Sequence, residues 1–465
     1  MLSIDGAKPV SSRKRALIYG AGNNCIYSMN EIEKRFRVVG ICDGDENKCG
    51  RALFGQTIGR IDGFDSDDYD VVVVTPSYSE TIRQTLAEAG VEENRVIALE
   101  DALSDCGDVK GSRVSVIFYG GLGDYIIGKN WLYHLSEYVG LSDAVIDAYF
   151  SNNMMEAAHA VFDDSELIAS IKSIDTGRVE LVSQDEYDLV LRYSIFPMVQ
   201  YMDGHALYNS NSKLYSYAVR LMEFGDKNYN RGFFASPGFY NTVSALFNMF
   251  PDKKYHELYD VLDDMDDTAS YHCKYEVGIN EEEYLSSLGI IRGNFITVNT
   301  GANEEYTRKP STRTWPHENW ISLIRLLKGA IQSDIKIVRM GLMNLGDDPS
   351  SSDIDLCGKT NIEQAKALLK NSLVHIDYEG GLVHLRHVLC GKPSVVLHGP
   401  TSIERYGYPE NVAIRSDRCP KACEWSAKDW LVVCHNDKAS HSCLGEVTPE
   451  YVSECVLNTL EKERR

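Results

Sequence analysis

The segment VSVIFYGGLGDYIIG, residues 114–128, combines three signals that together decide the fold. An apolar run rich in Val and Ile is followed by closely spaced glycines, and an acidic residue then precedes a second apolar run. This order is typical of a buried parallel strand that turns through a glycine loop into a helix. A similar segment, RALIYGAGNN, lies near the start of the chain at residues 15–24. The chain therefore contains at least two strand–loop–helix units.

The same alternation of apolar runs and amphipathic segments extends along the rest of the chain. FRVVGICDGD (36–45) and DVVVVTPS (70–77) follow the first loop, and GNFITVNTGA (293–302) restarts the pattern after a less regular stretch. Within that stretch, residues 205–275 are rich in tyrosine and are expected to be mostly helical. A chain of 465 residues is too long for one compact core, so two or three domains are expected. We predict an α/β protein built from three Rossmann-like units, at residues 1–108, 112–290 and 291–465.

The balance of charges limits the classes of partner. The chain has 47 Lys and Arg residues against 68 Asp and Glu residues, which gives a net charge of -21 at pH 7. Nucleic acids and anionic membranes bind basic surfaces, so neither is expected as a general partner. No stretch reaches the ~18 apolar residues that span a bilayer, and MLSIDGAKPVSSRKR lacks the apolar core of a signal peptide. We expect a cytoplasmic protein without an integral membrane segment.

The GAGNNC loop matches part of the dinucleotide-binding pattern G-x-G-x-x-G. Gly20 and Gly22 occupy the first two glycine positions, and Cys25 occupies the third. Asp43 follows the second strand, where an acid commonly accepts a hydrogen bond from a ribose hydroxyl. The glycines could also serve only to turn the strand into the helix, so a nucleotide site and a structural turn both stay open. No acid–base pair accompanies the motif, and NAD(P) is therefore not the cofactor that we expect.

Asp124 stands in the first turn of the helix that follows the GGLG sequence. The helix dipole favours a carboxylate at this position and lowers its pKa, so that it stays ionised. An ionised carboxylate behind a glycine loop can act as a general base toward a bound hydroxyl. The alternative is a first-turn aspartate that only caps the helix. The motif alone is compatible with both.

From residue 113 onward the chain resembles glycosyltransferase family nine, the heptosyltransferase-like enzymes of the two-lobed GT-B fold. The resemblance implies that residues 112–290 form the acceptor lobe and residues 291–465 the lobe that binds a nucleotide-sugar donor. The first unit resembles the Rossmann-like N-terminal domains found beside sugar-modifying modules in bacterial polysaccharide enzymes. The segments that carry the family resemblance, in the family's order, are GGLGD (120–124), VNTGA (298–302), RTWPHENW (313–320), DLCGKTNIEQAKALLKN (355–371) and IDYEGGLVHLRHVLCGKPSVVLHGPT (376–401).

The resemblance also implies roles for individual residues. Asp124 takes the position of the catalytic base, which deprotonates the acceptor hydroxyl. Arg313 stands where the family usually has a lysine, and the guanidinium would face the leaving phosphates with a planar fork instead of a point charge. The residues that the resemblance places at the donor are Thr300, Gly301, Arg313, Thr360, Glu379, Gly380, Gly381 and His384.

Two departures from the family pattern affect this expectation. Glu379-Gly380-Gly381 stands where the family commonly has Asp-Thr/Ser-Gly, which can alter recognition of the ribose or the sugar. The loop at residues 302–312 is longer than usual and adds Arg308 and Lys309. These two charges either form surface ion pairs or contact the donor phosphates, and both interpretations stay open.

Four of the twelve cysteines cluster near the end of the chain with the spacing C-x3-C-x10-C-x8-C. Four thiolates suit a tetrahedral structural site for zinc or iron, although C-x3-C is not the commoner C-x2-C pair. Some heptosyltransferase-like enzymes that modify proteins are similar in having a four-cysteine metal finger here. The alternative is four free or partly buried thiols. The cluster lies at residues 419–443 and consists of Cys419, Cys423, Cys434 and Cys443.

The leading hypothesis is an inverting, metal-independent glycosyltransferase. It would move a sugar, for example heptose from ADP-heptose, from a nucleoside diphosphate donor to a hydroxyl group of a glycan or a protein. One alternative is an NAD(P)-dependent sugar-modifying oxidoreductase centred on Gly20, Gly22 and Asp43. Another is a non-catalytic binding protein that retains the glycosyltransferase fold. A homo-oligomer is compatible with each of these hypotheses.

Overall fold

The structure of the 465-residue chain is a computed structural model. Three sheets of mainly parallel strands follow one another along the chain. No helix in the described part of the chain is both long enough and apolar enough to cross a membrane. Arg308 and Lys309 lie outside the described residues. The structure describes residues 13–76, 80–103, 111–175, 186–228, 240–268, 270–271, 273, 275–301, 312–331, 334–341, 352–417, 419, 421–434 and 443–464.

The first unit contains strands β1 (Arg15–Tyr19), β2 (Arg37–Cys42), β3 (Ala52–Leu53), β4 (Gln56–Thr57), β5 (Val71–Val74) and β6 (Val96–Ala98), and helices α1 (Asn23–Arg35), α2 (Glu80–Glu88) and α3 (Leu99–Leu103). Four parallel strands form its sheet in the order β2-β1-β5-β6, and β3 and β4 form a hairpin. Ala16 and Ile18 belong to one buried cluster, whereas Leu17 and Tyr19 belong to another. Both faces of the sheet are therefore covered, which explains why its strands are apolar throughout.

The second unit is built around a five-stranded sheet in which one edge strand is antiparallel. Its elements are β7 (Arg113–Phe118), α4 (Leu122–Val139), β8 (Val145–Ser151), α5 (Met155–Phe162), β9 (Ser170–Ile174), β10 (Leu189–Tyr193), β11 (Pro197–Met202), α6 (Gly204–Ser210), α7 (Ser212–Asn228), α8 (Tyr240–Met249) and α9 (Glu281–Ser287). The strand order is β11-β10-β7-β8-β9, with β11 antiparallel to β10. The expected helical character of residues 205–275 is seen in α6, α7 and α8, whereas β11 was not foreseen.

The third unit has six parallel strands in one sheet. Its elements are β12 (Phe295–Asn299), α10 (His317–Ala330), β13 (Lys336–Met340), β14 (Ile354–Asp355), α11 (Ile362–Asn371), β15 (His375–Tyr378), α12 (Gly381–Cys390), β16 (Ser394–Leu397), α13 (Ile403–Tyr406), β17 (Val412–Ile414) and α14 (Pro449–Glu463). The strand order is β14-β13-β12-β15-β16-β17. The α/β class predicted from the sequence is therefore confirmed, while the exact limits of the three domains stay a prediction.

The second and third units meet where helices α4 and α12 begin. A Cβ atom on Gly381 would lie 3.0 Å from Leu122 Cβ and 3.3 Å from Gly123 N. A Cβ atom on Gly123 would lie only 2.7 Å from His384 Cδ2. Glycine at both positions lets the two helix starts approach closely. The two glycine loops singled out from the sequence, GGLGD and EGG, therefore face each other across the contact between the units.

Candidate active site

Asp124 lies in the first turn of α4, immediately after β7 ends in the glycine loop. Its Oδ2 accepts a hydrogen bond from Gly121 N–H at 2.8 Å, and its Oδ1 accepts one from the Tyr255 hydroxyl at 2.9 Å. The lowered pKa expected for Asp124 from the helix dipole is wrong: burial raises the pKa above its usual value, and these bonds and nearby His384 only partly offset the effect. Each carboxylate oxygen uses one lone pair in these bonds and retains another. Asp124 can therefore cap the start of α4 and also accept a proton.

Gly120, in the loop before α4, has to be glycine because the Asp124 carboxylate lies next to it. Gly120 has φ +103°, a backbone conformation that side-chain-bearing residues rarely adopt. A Cβ atom on Gly120 would also lie 2.3 Å from Asp124 Oδ2. The loop therefore makes room for the carboxylate to fold back onto the start of its own helix.

Arg313 and Glu379 form a largely buried ion pair in the third unit. Arg313 Nη2 lies 2.6 Å from Glu379 Oε2 and also donates to the Glu379 carbonyl oxygen. Burial alone would raise the pKa of Glu379, but the attraction of Arg313 and His384 outweighs it and lowers the pKa to about 2. Glu379 is therefore ionised at neutral pH. The guanidinium expected to face donor phosphates is already balanced by a protein carboxylate, which sequence reasoning did not foresee.

The start of α12 lies beside this ion pair. Gly380 precedes the helix without any side-chain cap, and a Cβ atom on it would lie 3.8 Å from Arg313 Nη2. His384 is buried one turn later, with its Nδ1 2.6 Å from the Tyr408 hydroxyl and its Nε2 3.8 Å from Glu379 Oε1. Uncapped N–H groups at a helix start favour bound anions. The structure thus brings together a helix start and the predicted residues Arg313, Glu379 and His384.

The remaining donor residues predicted from the sequence lie along the same sheet edge. Thr300 follows β12 and is almost completely buried, and its Oγ1 has no hydrogen-bond partner among the described residues. Gly301 N–H donates to Asn299 Oδ1 at 3.2 Å. Thr360 is half-buried just before α11 and follows β14, which is three strands from β15 in the sheet. Strand spacing puts these two strands about 14 Å apart, so Thr360 belongs to a different part of the edge from Glu379.

Sequence reasoning missed several residues around the Asp124–Glu379 region. His398 and Thr401 follow β16 at the same edge of the sheet, and both are almost completely buried. His398 Nδ1 and Thr401 Oγ1 have no hydrogen-bond partner among the described residues. Burial lowers the pKa of His398 to about 4, so that it is neutral at pH 7. The order of strands would have indicated these two residues, because the carboxyl ends of parallel strands share one edge.

The predicted N-terminal nucleotide residues line a separate cavity of ≈ 310 Å³. It lies beyond the carboxyl ends of β1, β2 and β5, where the strand order reverses. Gly20 and Gly22 form part of the wall, and Asp43 Oδ2 accepts bonds from Ala21 N–H at 2.6 Å and Lys48 Nζ at 3.0 Å. Burial alone would raise the pKa of Asp43, but these hydrogen bonds outweigh it and lower the pKa overall. Asp43 therefore holds the glycine loop as well as lining the cavity.

The four clustered cysteines are all buried. Burial raises the pKa of Cys443 to about 12, and Cys419, Cys423 and Cys434 each raise it further, so the four thiols are close neighbours. Among the side chains that the structure describes, no group of three or more His, Cys, Asp or Glu residues is arranged to hold a metal ion. The four cysteines predicted as ligands therefore lie near one another, but their described positions do not form a metal-binding arrangement.

Comparisons with known proteins divide the chain into two matched regions. Residues 12–97 match "C2185-like, N-terminal", and residues 254–429 match glycosyltransferase family 9 (heptosyltransferase). No curated protein matches the sequence. The solved family 9 glycosyltransferase from Veillonella parvula DSM 2008 is 16% identical, with a TM-score of 0.50, over 77% of this chain and 100% of that chain. Similarity at this level of identity shows a shared fold.

Two further solved structures are similar at lower TM-scores. E. coli ADP-heptose lps heptosyltransferase II is 15% identical over 76% of this chain and 100% of that chain, with a TM-score of 0.47. The iron-containing dodecameric glycosyltransferase TibC from enterotoxigenic E. coli H10407 is 14% identical over 76% of this chain and 80% of that chain, with a TM-score of 0.46.

The fold is thus the two-lobed α/β architecture of GT-B glycosyltransferases, preceded by a further α/β unit. The chain contains a glycosyltransferase family 9 (heptosyltransferase) domain at residues 254–429 and a C2185-like N-terminal domain at residues 12–97. The family match begins after Asp124. The role of Asp124 as the base therefore stays a prediction.

Proposed function

We propose that the protein is an inverting, metal-independent glycosyltransferase whose catalytic base is Asp124. The single observation that carries this proposal is the placement of the Asp124 carboxylate at the contact between α4 and α12, next to the Arg313–Glu379 pair and His384. His384 and Glu379 both act on the charge of Asp124, which shows how close the groups are. A base from one lobe and an anion-binding helix start from the other are the two parts that sugar transfer needs.

In the proposed reaction, the acceptor hydroxyl attacks the anomeric carbon of the donor sugar. The bond from that carbon to the diphosphate oxygen breaks, and the proton of the hydroxyl passes to Asp124. The negative charge on the departing diphosphate is stabilised by the N–H groups at the start of α12 and by Arg313, for which the diphosphate competes with Glu379. A single displacement of this kind inverts the configuration at the anomeric carbon.

The donor most worth testing first is ADP-heptose. The solved complex of the heptosyltransferase TibC contains ADP-D-beta-D-heptose, and E. coli WaaC has been solved with ADP. For this chain the donor residues are proposed to be Thr300, Gly301, Arg313, Thr360 and the Glu379–His384 turn. The acceptor is proposed to be a hydroxyl group of a glycan or a protein in the cytoplasm. TibC is dodecameric, and sedimentation of the full chain would test for self-association here.

Replacement of Asp124 by asparagine tests the base directly. Asparagine keeps the size of the side chain but cannot take up the proton, so Asp124→Asn should lower the rate of sugar release from ADP-heptose by at least ~100-fold. Binding of ADP-heptose, followed by calorimetry, should change little. Asp163→Asn is the matched control, because Asp163 is exposed and pairs with His159 one turn away. Full turnover in Asp124→Asn would exclude the carboxylate as the base.

The four buried cysteines are proposed to bind a structural zinc or iron ion. Four neighbouring thiols in a buried setting fit such an ion, because a cation would stabilise their thiolate forms. The experiment is metal analysis and thermal melting of the purified full chain. We expect about one metal ion per chain, and Cys419→Ser and Cys443→Ser should lose it and melt at lower temperature. Cys455→Ser, outside the cluster, should keep it. Metal-free protein with an unchanged melting temperature would contradict this proposal.

A second function, nucleotide binding by the first unit, is favoured by the cavity at the strand-order reversal. The start of α1 has no side-chain cap, and Lys48 supplies a cation beside it. We propose that a phosphate group binds there, without hydride transfer. ADP and NAD should raise the melting temperature of the wild-type chain and less so that of Lys48→Met, with exposed Lys14→Met as the control. An equal rise in Lys48→Met would assign the binding to another site.

A further inference from the structure

Resting on the proposed role of Asp124 as the base, we infer that Tyr255 is a positioning residue that holds the Asp124 carboxylate in its reactive orientation and ties it to the donor lobe. Neither the glycine motif nor the resemblance to the family indicated this residue. Tyr255 lies after α8, in an irregular part of the chain without a recognisable motif.

The hydrogen bonds of Asp124 define its orientation from two sides. The Gly121 N–H holds Oδ2 from the protein's own helix start, and the Tyr255 hydroxyl holds Oδ1 from a segment far away in sequence. Burial keeps the pKa of Tyr255 well above its usual value, and the charge of Asp124 raises it further. Tyr255 therefore keeps its proton at neutral pH, and its hydroxyl is available as a donor to Asp124.

The ring of Tyr255 is anchored to the donor lobe. It stacks on Tyr406 at the end of α13, with ring centroids 4.6 Å apart and planes at 27°. The neighbouring Lys254 Nζ donates to the Gly407 carbonyl at 3.0 Å. Arg405, in the same short helix as Tyr406, donates to three backbone carbonyls in the segment that precedes Tyr255. The hydroxyl that donates to Asp124 is thus held in place by contacts with the third unit, while Asp124 itself belongs to the second.

This arrangement couples the orientation of the base to the position of the donor lobe. With Tyr255 in place, the carboxylate is fixed and its remaining lone pairs are available to an acceptor hydroxyl. If the contacts of Tyr255 with the third unit were lost, its hydroxyl would no longer be fixed beside Asp124. Other charged or titratable groups that act on Asp124 are Glu379 and His384 on the donor lobe, and Tyr193 lies near it from β10.

The test is a direct titration of Asp124 by infrared difference spectroscopy on the full chain with isotope-labelled aspartate, using Asp124→Asn to identify its carboxyl band. Tyr255→Phe keeps the ring that stacks on Tyr406 and removes only the hydroxyl. Loss of a donor to the charged carboxylate raises the pKa of Asp124, so the midpoint should move upward by about 1 pH unit. The acid-side loss of ADP-heptose turnover should move to higher pH by the same amount, with an unchanged KM for the donor.

Two further proteins make the result decisive. Tyr259→Phe is the matched control, because this nearby buried tyrosine donates to the Thr268 carbonyl and should leave the midpoint unchanged. Substitution of 3-fluorotyrosine at position 255 keeps the fold and makes the phenol a stronger donor, so the midpoint should fall. An unchanged midpoint in both Tyr255→Phe and the fluorotyrosine protein overturns the inference. Full turnover in Asp124→Asn would instead overturn the proposed function, whatever the midpoint does.

Discussion

At the scale of single residues, Arg313 pairs with Glu379 at a position where the family resemblance leads one to expect a cation for the donor phosphates. An arginine in place of lysine provides a planar fork, and one of its nitrogens contacts both the carboxylate and the carbonyl oxygen of the same glutamate. The residues at positions 313 and 379, both of which differ from those that the family resemblance leads one to expect, thus form one ion pair.

Loss of the Glu379 carboxylate should destabilise the protein in a pH-dependent way. Glu379→Gln leaves Arg313 buried without its counter-ion, at a cost of about 3 kcal/mol. Because the pKa of Glu379 is lowered to about 2 in the folded protein, the pair contributes its full stability above the ordinary glutamate pKa and loses it as the pH falls toward 2. Thermal melting of both proteins between pH 7 and pH 2 measures this difference.

The control for this prediction is an ion pair on the surface. Glu46→Gln removes the partner of Arg60, and both of those side chains are more than half exposed. Such pairs contribute little, so Glu46→Gln should melt within about 2 °C of the wild type at every pH. A Glu379→Gln protein as stable as Glu46→Gln would show that the buried pair does not stabilise the fold.

At the scale of elements, helix α4 depends on the glycine that precedes it. In Gly120→Ala the new Cβ atom meets the Asp124 carboxylate, and the positive φ adds strain of about 1 kcal/mol. We expect a lower melting temperature, together with a loss of ADP-heptose turnover because the carboxylate is displaced. In Gly121→Ala the new Cβ meets nothing within 4 Å, and the melting temperature should stay near that of the wild type. Equal melting temperatures for the two variants would contradict this account.

Most of the elements could be predicted from the sequence because their physical signals are local. Runs such as VVVV at 71–74 indicate strands covered on both faces, and the helix at 449–463 begins with proline, a residue favoured at the first helical position. Strand β11 was missed because PMVQYM, at 197–202, is an edge strand that is mostly half-buried and has no continuous apolar run. Its antiparallel direction follows from the short connection to β10, which no composition signal reports.

At the scale of the whole molecule, the candidate site is assembled from distant segments. Sequence motifs indicated Asp124, Arg313 and the Glu379–His384 turn one by one, and the structure brings them to one contact between two sheets. Tyr255 could not be predicted in this way, because no motif marks it. Its contact with Asp124 depends on how α13 packs against the segment after α8. Only tertiary packing makes such a residue part of the site.

The same packing gives Arg405 a role in holding the two units together. Arg405 donates to the carbonyls of Phe247, Phe250 and Lys253, and its guanidinium lies 4.1 Å from the centroid of the Phe247 ring. Arg405→Met keeps the apolar stem but leaves three carbonyls without this donor. Hydrogen exchange of the amides at 247–257 should accelerate by at least ~10-fold, since each lost bond to a charged group costs ~1.5 kcal/mol or more.

Arg292→Met is the comparison variant, because Arg292 is mostly exposed and its ion pair with Glu281 is long, at 3.6 Å. Exchange at 247–257 should be the same in Arg292→Met and in the wild type. Unchanged exchange in Arg405→Met as well would mean that the segment is held to the donor lobe by other contacts.

The close approach of the two glycine loops has a consequence for how the protein can change over evolution. Gly123 leaves space that the His384 ring occupies, and Gly381 leaves space that Leu122 occupies. A larger residue on one side is therefore tolerated only where the opposite side chain becomes smaller. Positions 122–123 and 381–384, though far apart in the chain, should vary together among related proteins, so that the GGLGD and EGG segments are inherited as one unit.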